Sequence, residues 1–232
     1  MIRTIEEFHA QPEEYRSAVE KIVISHAINE LHGARTFDEP ALALAATPQA
    51  KWLTCRIAME EYGHHCRFFD LGRSIGIAAE RMLPESAAKR TLSVFDFPLR
   101  DWESFVANKM LGDLAEILQV EDLLHCSFVP LRDLARSIMP EEKFHHRFGM
   151  DCARDIAHST EGRARLQRAV DEFLPMVPAF FGRSGSRNNE IYRKWGIKLR
   201  TNEAMRADYV QRALSACTSV GLTVPPLELP AA

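Results

Sequence analysis

The chain has 232 residues, 46% of them hydrophobic, enough to bury the core of one sizeable domain. A net charge of −3 offers no basic surface for nucleic acid, and no apolar run approaches the roughly 18 residues of a membrane span. The charged start, M-I-R-T-I-E-E-F-H, lacks an apolar signal segment, and five cysteines without a C-x-x-C pair fit reduced thiols in the cytoplasm.

Residues 12–34 open on Pro12, which a first helical turn tolerates, and close near Gly33. Val19, Ile22, Val23, Ala27, Ile28 and Leu31 recur at helical spacing, with His26 and Glu30 close to that stripe. Thr36 to Pro40 reads as a connection, and Thr47-Pro48 as the start of a second helix over residues 49–78. There Trp52, Cys55, Ala58, Met59, Tyr62, Phe69 and Leu71 are interrupted by Glu60, Glu61, His64 and His65. Gly63 costs that helix about 1 kcal/mol against alanine, a cost that close approach of a neighbour or substrate would justify. Residues 82–98 read as irregular, broken by Pro84 and Pro98 and carrying the basic pair Lys89 and Arg90.

Asp101 is placed to cap a third helix running to about Cys126. Its polar candidates are Asp113, Glu116, Gln119 and Glu121. Pro130 opens a fourth long segment, residues 131–158, inside which Pro140 predicts a bend or a break into two helices. A fifth helix is expected over residues 160–182, kinked at Pro175 and Pro178, followed by a flexible loop at 182–189. A last helix covers 202–219, capped by Thr201 or Asn202. Residues 1–220 are expected to form one all-α domain and 221–232 an extended tail; no β pattern of convincing length appears.

One six-residue word occurs twice in this layout. Residues 60–65 read E-E-Y-G-H-H and residues 141–146 read E-E-K-F-H-H, 81 residues apart (141 − 60). Each holds Glu-x-x-His: Glu61 with His64, and Glu142 with His145. On a helix such residues share a face, so a carboxylate and an imidazole can grip one cation. Two helices with this pair, and two more that each give a carboxylate, make the ferritin-like di-iron arrangement. The expected fold is therefore a ferritin-like four-helix bundle with additional C-terminal helices. Glu30 is the first-helix ligand, and Asp113 and Glu116 compete for the third. Carboxylates and imidazoles suit iron without any thiolate.

A single Glu-x-x-His is ordinarily a surface pair. Two copies inside apolar segments are harder to dismiss, because burying that charge without a counter-ion costs several kcal/mol per ion. The shifted pairings Glu60/His64, Glu141/His145 and Glu142/His146 stay open. The outer members Glu60, His65, Glu141 and His146 read as hydrogen-bond partners of the ligands or as solvated residues. His26 and His125 read as packing histidines.

On these residues the sequence resembles the catalytic A subunits of phenylacetyl-CoA ring 1,2-epoxidases, a family of bacterial multicomponent monooxygenases. The stretches that carry the resemblance are H-A-I-N-E (26–30), E-E-Y-G-H (60–64), S-V-F-D-F-P-L-R-D-W (93–102), E-E-K-F-H-H-R-F-G (141–149) and I-K-L-R-T-N-E-A-M-R (197–206). The resemblance implies metal ligands at Glu30, Glu61, His64, Asp113, Glu142 and His145, favouring Asp113 over Glu116. It implies two iron ions, with a manganese–iron pair as the alternative, and O2 as co-substrate. It also implies an aromatic acyl-CoA substrate in phenylacetate catabolism, a reductase component, and pairing as a homodimer or with a second, metal-free ferritin-like subunit. Lys198 falls on a family lysine near the CoA phosphates, Arg90 replaces another basic residue of that kind, and Arg200 is a weaker neighbour. A third basic position of the family appears as Ile57, and the family's long C-terminal extension is absent.

The expected activity is therefore that of a di-iron monooxygenase. Met59, Tyr62, Leu114, Ile117 and Phe144 are candidates for the pocket wall, against the plainer reading of bundle core. The rivals are a di-iron oxidase or peroxidase without an acyl-CoA substrate, and a non-catalytic ferritin-like scaffold subunit.

Overall fold

Helix starts in this chain are set by side chains that accept from otherwise free backbone donors. Thr47 accepts from the Ala50 amide, Asp101 from Ser104, Ser159 from Gly162 and Thr201 from Ala204. The computed structural model describes residues 1–86 and 93–227. In chain order the α-helices are α1 (Ile5–His9), α2 (Glu13–Gly33), α3 (Glu39–Ala41), α4 (Pro48–Ser74), α5 (Trp102–Leu123), α6 (Val129–Ala157), α7 (Thr160–Phe173), α8 (Arg187–Lys194) and α9 (Asn202–Ser219). Among the described residues the only β pairing is an isolated bridge between Ile2 and Phe128.

The bundle is α2, α4, α5 and α6. Helix α5 lies along α6, α2 lies along α4, and α4 also meets α6. Helix α5 is buried almost all round from Ser104 to Leu123, as its near-continuous apolar sequence requires of a central helix. One side of it packs with α7, α9 and the segment between them, through Met110, Leu114, Phe173, Val177 and Tyr209. Ile117, Val120 and Leu123 pack instead with Val23 of α2, Phe68 of α4 and Leu131 of α6.

Three expectations are corrected. The chain does not break off as a connection at Thr36: a π-helical turn, Ala34–Asp38, carries α2 on into α3. This wide turn buries Asp38, and such turns are frequent at functional sites. Of the bend or break expected at Pro140, the break does not occur, since helix α6 runs unbroken through it. Pro140 is on the exposed side, where water can take up the carbonyl its missing N–H leaves free. The loop expected at 182–189 is shorter, because α8 begins at Arg187. The prolines at 175 and 178 have their expected effect, since α7 gives way to a 3-10 segment, Leu174–Phe181. Past α9, Leu222 is buried and Thr223 exchanges hydrogen bonds with Gln167.

Gly149 sets the distance between α5 and α6. A Cβ there would lie 2.6 Å from the Lys109 carbonyl carbon and 2.6 Å from the Met110 nitrogen, both backbone atoms of α5. Neither can swing aside as a flexible side chain would. Gly149→Ala is therefore expected to lower stability by roughly 1–3 kcal/mol through overpacking, read as a depressed thermal midpoint; an unchanged midpoint would show that the two helices can part freely.

Candidate metal centre

The two Glu-x-x-His pairs meet in the middle of the bundle. Helix α4 brings Glu61 and His64, α6 brings Glu142 and His145, α2 brings Glu30 and α5 brings Asp113; all six are buried. Ligand atoms of Glu30, Glu61, His64 and Glu142 lie within 4.8 Å of one another. His64 Nδ1 is 2.9 Å from Glu142 Oε1, 3.6 Å from Glu30 Oε2 and 3.7 Å from Glu61 Oε2. His145 Nδ1 is 3.2 Å from Glu61 Oε1.

The outer glutamates cross over. Glu141 lies 2.8 Å from His64 Nε2, and Glu60 lies 2.8 Å from His145 Nε2, so each copy of the word orients the imidazole of the other. A carboxylate on Nε2 keeps a proton there and leaves Nδ1 to face inward as a ligand. Arg67 donates to Glu141 and Arg56 to Glu60, anchoring the braces from outside. His65 and His146 serve the backbone instead: their Nδ1 atoms donate to the carbonyls of Ala27 and Met110.

Two further members, Lys109 and Asp38, were not singled out in the sequence. Lys109 of α5 is 2% exposed, and its ammonium lies 2.9 Å from Asp38, 3.0 Å from Asp113 and 3.2 Å from Glu61. The available signal was a lysine four residues before Asp113, in a stretch otherwise fit for core. Ile57, where the resemblance expects a basic residue, packs with Ala41, Phe105 and Phe148.

The residues fit a pair of cations. Glu142 Oε1 and Oε2, Glu30 Oε1, Asp113 Oδ2 and the Nδ1 atoms of both histidines are buried without a hydrogen bond. Buried polar atoms ordinarily have partners, and a cluster of exceptions calls for one. Glu30, Asp38, Glu61, Asp113 and Glu142 bring five negative charges and Lys109 one positive, which leaves four. Two divalent cations would balance them. Without metal, protons substitute in part. Burial alone would lower the histidines, but neighbouring carboxylates, Glu142 first among them for His64, raise that imidazole strongly, and Glu60 and Glu61 help push His145 up to about 10. Burial raises Asp113 and Glu142. It would raise Glu61 too, but Lys109 and the two imidazoles overcome it and hold that carboxyl well below its usual range.

A cavity of about 70 Å³ adjoins the cluster, lined by its acids and by Phe37, Val94, Phe95, Val177 and Phe180. A larger cleft of about 530 Å³ shares Asn29 and Phe180 with it. Lys198 is buried on the wall of that cleft and donates to Gln119. Arg200 is bound to Asp122, Asp208 and the Leu118 carbonyl, so its guanidinium ties α5 to the α9 region. Arg90 lies outside the described residues.

Glu116 does not join the central cluster; it faces His26, with Oε1 3.2 Å from Nδ1. His26 does pack, stacking on Phe68 at 4.7 Å between ring centroids, whereas His125 is exposed. Met59 is 68% exposed, on the outside of α4 rather than in the bundle core. Leu114 and Ile117 are core, Tyr62 donates to Glu39, and Phe144 lies under the Arg56 guanidinium.

An all-α bundle with a doubled Glu-x-x-His word turned inward defines a ferritin-like protein of the di-iron oxygenase type, an oxidoreductase class. The chain belongs to the phenylacetic acid catabolic protein family, whose model matches residues 1–230. It is 26% identical to the A component of the 1,2-phenylacetyl-CoA epoxidase of Escherichia coli (strain K12), over 223 residues that cover 94% of this chain and 72% of the relative. Its fold is similar to that of a Synechococcus protein described as having aldehyde deformylating oxidase activity, with a TM-score of 0.68, 19% identity, and 91% of this chain and 93% of that one covered. No described helix is long and apolar enough to cross a membrane.

The crossed braces give a direct test. Glu60→Gln and Glu141→Gln keep the shape of the side chain but weaken the hold on Nε2. Each is expected to lower metal affinity by roughly 10–100-fold with the helical content unchanged, measured by anaerobic calorimetry. Wild-type affinity in both would show that the braces do not orient the ligands.

Proposed function

We propose that this protein is a di-iron monooxygenase that places one oxygen atom of O2 into an aromatic acyl-CoA thioester. The observation that carries the reading is the convergence of buried carboxylate and imidazole atoms, facing one another, beside a cavity lined in part by aromatic and aliphatic side chains. Glu30, Glu61, His64, Asp113, Glu142 and His145 would hold the pair of metals, and iron there would supply the reduction of O2 and the transfer of oxygen.

The chain's own residues do the rest. Phe37, Val94, Phe95 and Phe180 keep water from the reacting end of the substrate and present a surface that suits a ring. Lys109 neutralises Asp38 and lies against Glu61 and Asp113, fixing both before any cation arrives. The larger cleft suits the extended, polar part of a thioester, with Lys198 on its wall as the cationic group. The balance is one O2, two electrons and two protons per oxygen inserted, with one water released. The two electrons would come from a separate reductase component. Pairing with a second ferritin-like chain is part of this reading, supported by the relative's being one subunit of its epoxidase.

The test is a single-turnover reaction of the anaerobically iron-loaded, reduced protein with phenylacetyl-CoA and isotopically heavy O2. The expected product is a thioester that has gained one heavy oxygen atom. Consumption of O2 to water or peroxide with the thioester unchanged would support the oxidase reading, and failure to take up iron would support a scaffold.

A further inference from the structure

Glu30 presents its two oxygens to different neighbours. Oε2 faces His64, 3.6 Å from Nδ1, while Oε1 faces His26, 3.7 Å from Nδ1. His26 Nδ1 is also 3.2 Å from Glu116 Oε1. Ligand atoms of His26, Glu30 and Glu116 lie within 4.8 Å of one another, a second group that shares Glu30 with the central four. His26 is 7% exposed and Glu30 5%, and the three atoms that converge, His26 Nδ1, Glu30 Oε1 and Glu116 Oε1, are all buried and face one another, with no hydrogen-bond partner outside the trio.

The position of this trio is as informative as its composition. His26 is on the wall of the larger cleft, Glu30 and Glu116 are on the wall of the inner cavity, and Asn29 borders both. The trio therefore stands in the partition between the two spaces. The imidazole plane is fixed by stacking on Phe68, with an interplanar angle of 12°. Asp113, one turn earlier on α5, turns to Lys109, while Glu116 turns to His26. The two carboxylates that competed in the sequence thus serve different sites.

We propose that His26, Glu30 and Glu116 form an outer binding position for a divalent transition-metal ion, with Glu30 bridging it to the inner centre. One imidazole and two carboxylates suit Fe2+, Mn2+ or Co2+, and three protein ligands leave coordination positions for water. The outer ion is accordingly held more weakly than the inner pair and exchanges with metal in the cleft. The inference rests on the proposed metal centre only for the role of Glu30 Oε2.

Co2+ is a suitable probe, because its visible spectrum reports each site as it fills. The full-length wild type, His26→Gln, Glu116→Gln and Glu142→Ala are compared by anaerobic spectrophotometric titration and equilibrium dialysis, with circular dichroism as the folding control. The expected result is one additional, weaker equivalent in the wild type that both His26→Gln and Glu116→Gln lack, while each keeps the tight equivalents. Equal stoichiometry in the wild type and these two variants overturns the outer position. Loss of the tight equivalents along with the weak one in both variants also overturns it, since the pair would then merely support the inner site. If Glu142→Ala keeps every equivalent that the wild type binds, the inner reading fails instead. A weak equivalent that disappears only with His26 or Glu116 would leave the outer site standing by itself.

Discussion

Everything in this molecule is arranged around uncompensated negative charge at the centre of the bundle. Glu30, Asp38, Glu61, Asp113 and Glu142 are withdrawn from water among four helices, with a single lysine in their midst. The effective penalty for such burial is several kcal/mol per ion unless opposite charge is close by. Lys109 supplies one such charge, and protons held on His64 and His145 supply part of the rest. A pair of divalent cations would supply it in full.

The architecture is devoted to keeping that shape. Gly149 lets α5 and α6 approach beside Lys109, so the helix with Asp113 and the helix with Glu142 and His145 share one close contact. The π-helical turn after α2 brings Asp38 to the lysine. The duplicated word does more than bring two Glu-x-x-His pairs inward. Its outer glutamates exchange partners across the bundle, so α4 and α6 each orient the imidazole of the other.

Much of this was legible in the residues. The helical spacing of apolar side chains set out the four long helices, and Asp101, Thr47 and Thr201 marked three of the helix starts. The repeated Glu-x-x-His marked α4 and α6 as the two helices whose acids and imidazoles meet inside the bundle. What remained hidden was long-range or depended on solvent. Lys109 looked like one more polar residue on a mostly apolar helix, because its partners Asp38 and Glu61 are distant in sequence. Pro140 suggested a break, since sequence alone does not reveal that its face of α6 points to water. Met59 sat at an apolar spacing yet faces outward. The choice between Asp113 and Glu116 turned on a side-chain direction that three-residue spacing leaves undecided. The substrate is the least legible part, because cavity walls draw on residues scattered from Asn29 to Phe180.

If the acids and imidazoles of four helices form one cation site, anomalous diffraction at the iron edge, from crystals grown anaerobically with Fe2+, shows it most directly. The prediction is two strong peaks among these residues, one within ligand distance of His64 Nδ1 and the other within ligand distance of His145 Nδ1. Iron at saturating concentration with no peak among these residues would contradict it.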